Sequence, residues 1–425
     1  GAMFPTSGPD AVDIGTPSLE AVDLARRDFV ETSGGLPPAR AGGPRRPIGV
    51  VLCDDARDPT RAAAHLVEEL RVPAVIGFAR SKEVADLALA SFLPKGVLAL
   101  AANTASLLRT IPTTPGEPRL VYRTTTSAEM LVPPDAALVS DVLEPALRAE
   151  PGALAKGEAM RVALVRVGNA SGTSASDAYL ARLRIGGKTV AEDPSRFRQL
   201  ELRDGLEGAA LDAAVARVAA ELAAFRPHVV VMWTEADVIP ALERAWPAGA
   251  RFRPRYVGVE IDAALTAFVA EHPELGRRIF MTDLPSTART AKFVLRHDEV
   301  FPHRASPRIP VMAPYDAFYV VAYAAAAAGA EPLSGRVLAR GIRRLLPPGE
   351  AVDVGPGGIY PAFGALASGK NVDLAGLATT LDFDLATGDP TADFAIYCAS
   401  PVGAVETGLV YRAAAQRLEG TLRCP

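Results

Sequence analysis

Residues 73–87 read PAVIGFARSKEVADL. The apolar run 74–76 predicts a buried strand that ends at Gly77, and an amphipathic helix is predicted from Ser81 onward. A strand, a glycine turn and a hydroxyl residue at the start of a helix can form a phosphate loop, a nucleophile turn or the wall of a pocket for a carboxylate. The rest of the sequence has to distinguish these three uses.

The known loop motifs disfavour the first two uses. A phosphate loop needs a Lys-Ser/Thr pair after its glycines, and the segment GFARSK lacks that order. The sequence contains neither a G-x-G-x-x-G dinucleotide fingerprint after a strand nor a G-x-S-x-G hydrolase elbow. No side chain nearby in sequence is placed to activate Ser81, so we expect neither catalytic residues nor a cofactor.

Strands and helices alternate along the chain, which predicts an α/β fold with parallel sheets covered on both faces. Two such units are predicted at about 46–127 and 160–284. Within the first, residues 47–55 read as a buried strand, and a helix is predicted at 58–70. After residue 350 the segments TLDFDL and DFAIYCA alternate in polarity and predict an antiparallel edge. We assign 1–127 plus 285–349 to one lobe and 128–284 plus 350–425 to the other.

The composition excludes some classes of function. Of 425 residues, 49% are hydrophobic and the net charge is −4, so no basic surface for nucleic acid is indicated. No apolar run is long enough to span a bilayer, and no His/Cys spacing matches a metal site. Cys398 and Cys424 form either a disulfide or two free thiols, and Cys53 reads as a small buried residue.

Polar residues follow the predicted strands at the point where each strand ends. Carboxyl ends of parallel strands meet at one edge of a sheet, where ligands of open α/β folds bind. Hydroxyls and helix N-terminal amides suit a carboxylate, and a glutamate suits an ammonium group. The candidates are Ser81, Asn103, Thr104, Thr125, Ser127, Trp233 and Glu260.

Several motifs in order resemble the type I periplasmic solute-binding proteins of the branched-chain amino acid (Leu/Ile/Val) receptor group. VPAVIGFARS is similar to V-x-A-V-I-G-P-x-x-S, GVLALAANTASLLRT to a strand that ends in S-x-x-A-T, and LVYRTTTSA to the F-R-T-x-P-S-D crossover. YDAFYVVAYAAAAAG is similar to Y-D-A-x-x-x-L-A-x-A-x-x-x-A-G. The resemblance implies two Rossmann-like lobes with a central cleft and hinge crossovers, a small-molecule ligand and no catalysis.

The resemblance also implies roles for the candidates. Ser81 and Thr104 would bind the ligand carboxylate, and Glu260 would bind its α-ammonium group. The chain departs from the family pattern at Phe78, which replaces a proline, and at Arg80. Arg80 would favour a second carboxylate unless it is simply exposed, and Phe78 and Trp233 would stack on the ligand unless they belong to the core. The family's first strand is nearly absent: either it has been trimmed away or residues 2–4 are its remnant.

We therefore expect an extracytoplasmic receptor of an ABC importer, periplasmic or lipid-anchored, whose partners are a small carboxylate or amino acid and the transporter's membrane subunits. We interpret residues 1–3 as a remnant of cloning and expect that an export signal preceded them. The alternative is an interaction or sensor protein of the same fold, such as a lipoprotein that activates a cell-wall synthase.

Overall fold

The computed structural model describes residues 1–40, 42–103, 108–234, 238–302 and 309–425. The chain forms two compact units. The first comprises Gly1–Ser127 and Ser286–Ala392, and the second comprises Ala128–Pro285 and Asp393–Pro425. The chain therefore passes between the units three times.

Strands and helices are numbered along the chain. The strands are β1 Ala2–Phe4, β2 Leu52–Asp54, β3 Ala74–Gly77, β4 Leu98–Ala101, β5 Val121–Arg123, β6 Val162–Val167, β7 Arg184–Ile185, β8 Lys188–Thr189, β9 Phe197–Leu202, β10 Val229–Trp233, β11 Arg255–Val257, β12 Ile279–Asp283, β13 Glu350–Asp353, β14 Val372–Ala375, β15 Phe394–Ser400, β16 Gly403–Arg412 and β17 Arg417–Gly420. The α-helices are α1 Gly15–Ser33, α2 Pro59–Ala64, α3 Ser81–Leu87, α4 Leu93–Lys95, α5 Ala128–Ala137, α6 Glu144–Ala149, α7 Ala170–Arg182, α8 Gly208–Phe225, α9 Val238–Ala245, α10 Ala263–Glu271, α11 Ala288–Val300, α12 Ile309–Ala327, α13 Gly335–Ile342 and α14 Ile359–Ala367.

The first unit contains a parallel sheet in the order β2-β1-β3-β4-β5. Every residue of β3 and β4 is buried, as expected for central parallel strands that helices cover on both faces. Strand β1 lies between β2 and β3, so residues 2–4 occupy an inner position of the sheet. The predicted buried strand at 47–55 is wrong in extent and burial: β2 has three residues at the sheet edge, and Leu52 is half exposed.

The second unit contains a larger sheet in the order β17-β16-β15-β12-β11-β10-β6-β9. Strands β9, β6, β10, β11 and β12 are parallel, and β15, β16 and β17 extend the sheet in antiparallel fashion. The antiparallel strand predicted at DFAIYCA is thereby confirmed by its pairing with β12. The segment TLDFDL, in contrast, forms no strand.

Residues 350–392 lie in the first unit, where the sequence assigned them to the second lobe. Their contacts explain the difference. The segment after β14 packs beside β5. The Arg123 amide donates to the Gly388 carbonyl at 3.0 Å, and Nε of the buried Arg123 lies 2.6 Å from Asp389 Oδ1. Tyr360 in α14 also donates to the Thr32 carbonyl at 3.0 Å. These bonds join residues far apart in sequence, which local patterns do not reveal.

Two further features concern the covalent and membrane properties of the chain. Cys398 and Cys424 form a disulfide in the second unit, and Cys53 is a free, half-buried thiol. Among the described helices, none is long and apolar enough to cross a membrane.

Candidate functional site

Strands of the first sheet end level with one another. Met3 of β1 pairs with Gly77 of β3, Gly77 with Ala101 of β4, and Ala101 with Arg123 of β5. The residues that follow these strands therefore lie along one edge. Asn103, Thr125, Ser127, Arg80 and the start of α3 are brought to this carboxyl edge of the first unit. Thr104 falls outside the described residues.

The turn after β3 requires its glycine. A Cβ atom at Gly77 would lie 2.3 Å from the Met3 carbonyl oxygen, so only glycine permits β1 and β3 to approach this closely. Phe78 follows with φ of 77°, a left-handed conformation that is strained for a bulky residue. The chain reverses over these residues, and α3 begins at Ser81.

The Phe78 side chain lies in the hydrophobic core of the first unit. It is fully buried, and its ring centroid is 5.5 Å from that of Phe92. Of the two roles open to Phe78, this placement favours the core. Burial of the ring also offsets the strained backbone of the turn, because a fully buried Phe contributes about 2–3 kcal/mol to folding.

Arg80 is exposed and forms an ion pair. Its Nη2 lies 2.8 Å from Asp10 Oδ2, and this hydrogen bond raises the pKa of Arg80. The Arg80 amide donates to Glu83 Oε2 at 3.3 Å, which satisfies one backbone donor at the N-terminus of α3. A carboxylate from elsewhere in the chain thus already neutralises the cation that distinguishes this turn from the family pattern.

Asn103 contacts a residue that the sequence did not indicate. Its Nδ2 donates to Ser18 Oγ of α1 at 2.8 Å, and Ser18 is fully buried. The Asn103 Oδ1 atom is buried and receives no hydrogen bond from the described part of the chain. Ser18 lies in a regular amphipathic helix, so the sequence around it does not indicate a functional role.

Thr125 and Ser127 follow β5 and are buried. The neighbouring Thr124 donates from its hydroxyl to the Ala313 carbonyl of α12 at 2.7 Å, which anchors this segment within the first unit. A run of four hydroxyl residues, 124–127, thus lies at the edge of the sheet, where the chain leaves for the second unit.

Two carboxylates at the end of β2 were not predicted as site residues. Asp54 accepts from the Ser7 hydroxyl at 2.6 Å and from the Thr6 amide at 2.9 Å. Asp55 is 3% exposed, and its Oδ2 has no hydrogen-bond donor among the residues that the structure describes. Burial, together with the charge of Glu83, raises the pKa of Asp55 to about 7. The sequence DDARD suggested a helix cap, and Asp58 does cap α2 by accepting from the Arg61 amide.

In the second unit, Glu260 follows a glycine turn after β11. Gly258 has φ of 72°, and a Cβ atom there would lie 2.8 Å from the Met232 carbonyl oxygen and 2.9 Å from Asp135 Oδ2. The flanking Val259 and Ile261 are buried, whereas Glu260 is exposed. The two apolar side chains thus fix the turn so that Glu260 lies at the surface of the carboxyl edge.

Trp233 ends β10, the strand that pairs with β11. Its indole Nε1 donates to Ser171 Oγ at the start of α7, at 3.2 Å, and the ring packs partly against the core of the second unit. Val231 pairs with Val257, so Trp233 and Glu260 follow adjacent strands at nearly the same level. The two candidates of the second unit are therefore neighbours on one edge.

Asp135 lies beneath this edge and supports it. Its carboxylate accepts from the hydroxyls of Tyr179 in α7 and Thr282 in β12, and it is buried. Burial raises the pKa of Asp135 to about 6. The residue links α5, α7, β12 and the Gly258 turn. A single acid after two prolines in an apolar helix is the sequence signal that could have identified it.

Both edges carry polar groups that can form hydrogen bonds. Hydroxyls, amides and carboxylates are present as hydrogen-bonding groups. No group of three His, Cys, Asp or Glu residues that could hold a metal ion occurs among the residues outside 41, 104–107, 235–237 and 303–308.

Comparison with known proteins agrees with this fold. Residues 1–345 match the sequence profile of a family described as periplasmic binding protein. A search of curated proteins finds no match.

Solved structures of similar fold cover nearly the whole chain. The isoleucine complex of the branched-chain amino acid transporter substrate-binding protein LivJ from Streptococcus pneumoniae has a TM-score of 0.59 at 16% identity, covering 96% of this chain and 98% of that one. The leucine complex of an ABC transporter substrate-binding protein from Desulfitobacterium hafniense has a TM-score of 0.61 at 16% identity, with coverage of 96% and 98%. The benzoate complex of a solute-binding protein from R. palustris has a TM-score of 0.57 at 16% identity, with coverage of 96% and 94%. At such low identity these likenesses establish the type I fold alone, and together with the profile match they show that the chain belongs to the periplasmic binding protein family.

Proposed function

We propose that the protein is the extracytoplasmic receptor of an ABC importer and that it binds an amino acid or a similar small carboxylate. The observation that carries the proposal is the position of Glu260, an exposed carboxylate fixed by two buried neighbours at the carboxyl edge of the second sheet. A carboxylate held in this way suits a ligand ammonium group, which favours an amino acid over a simple organic acid.

The first unit would take the ligand carboxylate. Ser81 and Thr104 hold this role by resemblance to the family, with Asn103, Thr125 and Ser127 along the same edge. Arg80 is paired with Asp10, so we assign it an indirect effect on the charge of the edge. Trp233 would supply apolar surface to the ligand side chain, and Phe78 would act only through the core.

The import role rests on the family, whose solved members include complexes with isoleucine, leucine and benzoate. Their ligands share a small carboxylate, which supports that part of the proposal. The membrane subunits of an ABC transporter would be the protein's partner, and the ligand would close the two units by hinge motion. Small-angle X-ray scattering should then show a smaller radius of gyration when ligand is added.

A thermal-shift screen with matched ligand pairs tests the proposal. Each pair differs only in the ammonium group, for example leucine and 4-methylpentanoate, or phenylalanine and 3-phenylpropanoate. We expect at least one amino acid to raise Tm and its partner without the ammonium group to raise it less. Stabilisation by the acids alone would reject the role of Glu260.

Failure of the whole screen would reject the receptor role. In that case the second candidate is an interaction or sensor protein of the same fold. It would be tested by repeating the screen with proteins of the cell envelope in place of small molecules. The two results are distinguishable because a receptor must show saturable binding of at least one small molecule.

A further inference from the structure

A further cavity is lined entirely by residues of the first unit. Its volume is about 370 Å³, which is within the range of sites for small ligands. Helix α11 forms one wall, the segment from β13 to the start of α14 forms the opposite wall, and Phe293 and Tyr315 lie between them. We refer to it as the α11 cavity.

Helix α11 presents three cations to this cavity. Arg289, Lys292 and Arg296 are spaced by three and four residues, so they share one face of the helix. The only carboxylate among the lining residues is Asp353. The lining thus holds three cations and one carboxylate, and Asp28 and Glu31 of α1 lie against Arg296.

The two arginines already have partners. Arg289 Nη1 lies 2.9 Å from Asp353 Oδ1, and Arg296 binds Asp28 and Glu31 of α1. Lys292, in contrast, is exposed, and it forms no ion pair within the part of the chain that the structure describes. Of the three cations, Lys292 is the one available to a ligand.

The inner surface between the two walls is aromatic. The rings of Phe293 and Tyr315 pack edge to face with centroids 4.8 Å apart, and both side chains are buried. The Tyr315 hydroxyl donates to Asp28, so its polar atom is satisfied and its ring contributes apolar surface. A flat apolar group would bury area against these rings.

The loop of the opposite wall leaves room for such a group. Gly355 has φ of 128°, a conformation open to glycine, and a Cβ atom at Gly357 would meet no heavy atom within 4 Å. Both glycines line the cavity. The small residues of the GPGG segment leave this side of the pocket open.

We propose that the α11 cavity is a second binding site, for a small organic anion that carries a flat apolar group. Lys292 pairs with the anionic group, and the apolar group packs on Phe293 and Tyr315. None of the residues it uses is a candidate ligand residue of the receptor site, so variants can separate the two sites.

Calorimetric titration with benzenesulfonate tests the proposal, since this anion has a flat ring and no ammonium group. We expect wild-type protein to bind it and Lys292→Gln to bind about tenfold more weakly, as loss of a charge-assisted contact implies. Gly357→Leu, which fills the cavity, should abolish the binding. Benzyl alcohol, a neutral ring compound, should bind more weakly than benzenesulfonate.

Lys370→Gln is the matched control, because Lys370 is also exposed and lies beyond the far end of α14. It should bind benzenesulfonate like wild type. Equal affinity of Lys292→Gln, Gly357→Leu and wild type, or absence of binding at millimolar concentration, would overturn the proposal. Weakening by Ser81→Ala instead would place the anion at the carboxylate end of the receptor site and would also overturn the proposal.

Discussion

The guanidinium of Arg80 lies 2.8 Å from the carboxylate of Asp10, although 70 residues separate them in sequence. The two residues follow β3 and β1, which are adjacent in the sheet. Asp10 therefore reduces the positive charge that Arg80 brings to the carboxyl edge. We expect this ion pair to influence which anions bind at the carboxyl edge.

Asp10→Asn should strengthen the binding of ligands with a second carboxylate. Without the Asp10 charge, Arg80 is free to attract an anion, so affinity for glutamate should rise several-fold relative to glutamine. Tm should hardly change, since exposed ion pairs contribute only about 0–1 kcal/mol. Calorimetric titration of both ligands measures the ratio. Asp13→Asn, an exposed acid nearby, is the control, and an unchanged ratio in Asp10→Asn would exclude a role for Arg80 in selectivity.

Glu260→Gln should weaken amino acid binding and leave the fold intact. The change removes a charge-assisted bond to the ligand ammonium, which is worth about 2–3 kcal/mol, or roughly 30- to 150-fold in Kd. Affinity for the matched acid without an ammonium group should be unchanged. Glu271→Gln, at the end of α10, serves as the control. Equal loss for both members of a pair would indicate a general structural effect and not recognition of the ammonium.

Gly258→Ala should destabilise the second unit. The positive φ of Gly258 disfavours any residue with a Cβ atom. The added Cβ would also lie too close to the Met232 carbonyl oxygen and to Asp135 Oδ2. We expect a loss of about 2–4 kcal/mol in the free energy of unfolding, measured by urea denaturation. Gly249→Ala provides the comparison, because a Cβ there meets nothing within 4 Å. Similar stability of the two variants would show that the turn can relax.

Asp55 should make the protein less stable as the pH rises. Its folded pKa of about 7 lies above the ordinary value of 3.8, so the folded state favours the protonated form. The stabilising effect of protonation is complete below about pH 4 and is lost as the pH rises to about 7. Asp55→Asn should therefore melt close to wild type only below about pH 4, and increasingly above it as the pH rises to about 8.

The effect of Asp55 can be separated from that of other acids. Burial also raises the pKa of Asp135 to about 6 and that of Asp316 to about 7, but both remain in the variant and cancel in the comparison. Asp212→Asn, an exposed acid on α8, should show no change in the pH dependence. A constant difference in Tm between Asp55→Asn and wild type at all pH values would contradict the assignment.

Reduction of the Cys398–Cys424 disulfide should destabilise the second unit. The bond closes a loop of 26 residues in sequence, which corresponds to about 3–4 kcal/mol of chain entropy in the unfolded state. Cys424→Ser should lower the urea midpoint by a matching amount, and reductant should then have no further effect. Cys53→Ser should leave the sensitivity to reductant as in wild type. Insensitivity of wild type to reductant would exclude a stabilising bond.

The sequence could predict what local patterns encode. Buried strands such as β3 and β4 are continuous apolar runs, and helices such as α8 have a clear period, so the α/β class follows from them. The apolar run before Asp54 failed as a guide, because a strand at the sheet edge can be apolar in sequence and still be half exposed.

Pairing over long distances could not be predicted. The Asp10–Arg80 ion pair, the Asn103–Ser18 bond and the buried Arg123–Asp389 pair each join segments whose proximity arises only from the fold. The same holds for residues 350–392, which resemble a strand-rich tail until the contact with β5 places them in the first unit. Nor does any local pattern show that Phe78 faces the core.

The position of β15 in the second sheet has a consequence for biosynthesis. This strand covers the edge of β12, yet the ribosome makes it only after α11 to α14 of the other unit have been completed. Until then β12 presents unpaired backbone groups, which invite association with other nascent chains. A chaperone that holds the unfinished polypeptide would protect this edge, and truncation before β15 should yield aggregates instead of a smaller folded product.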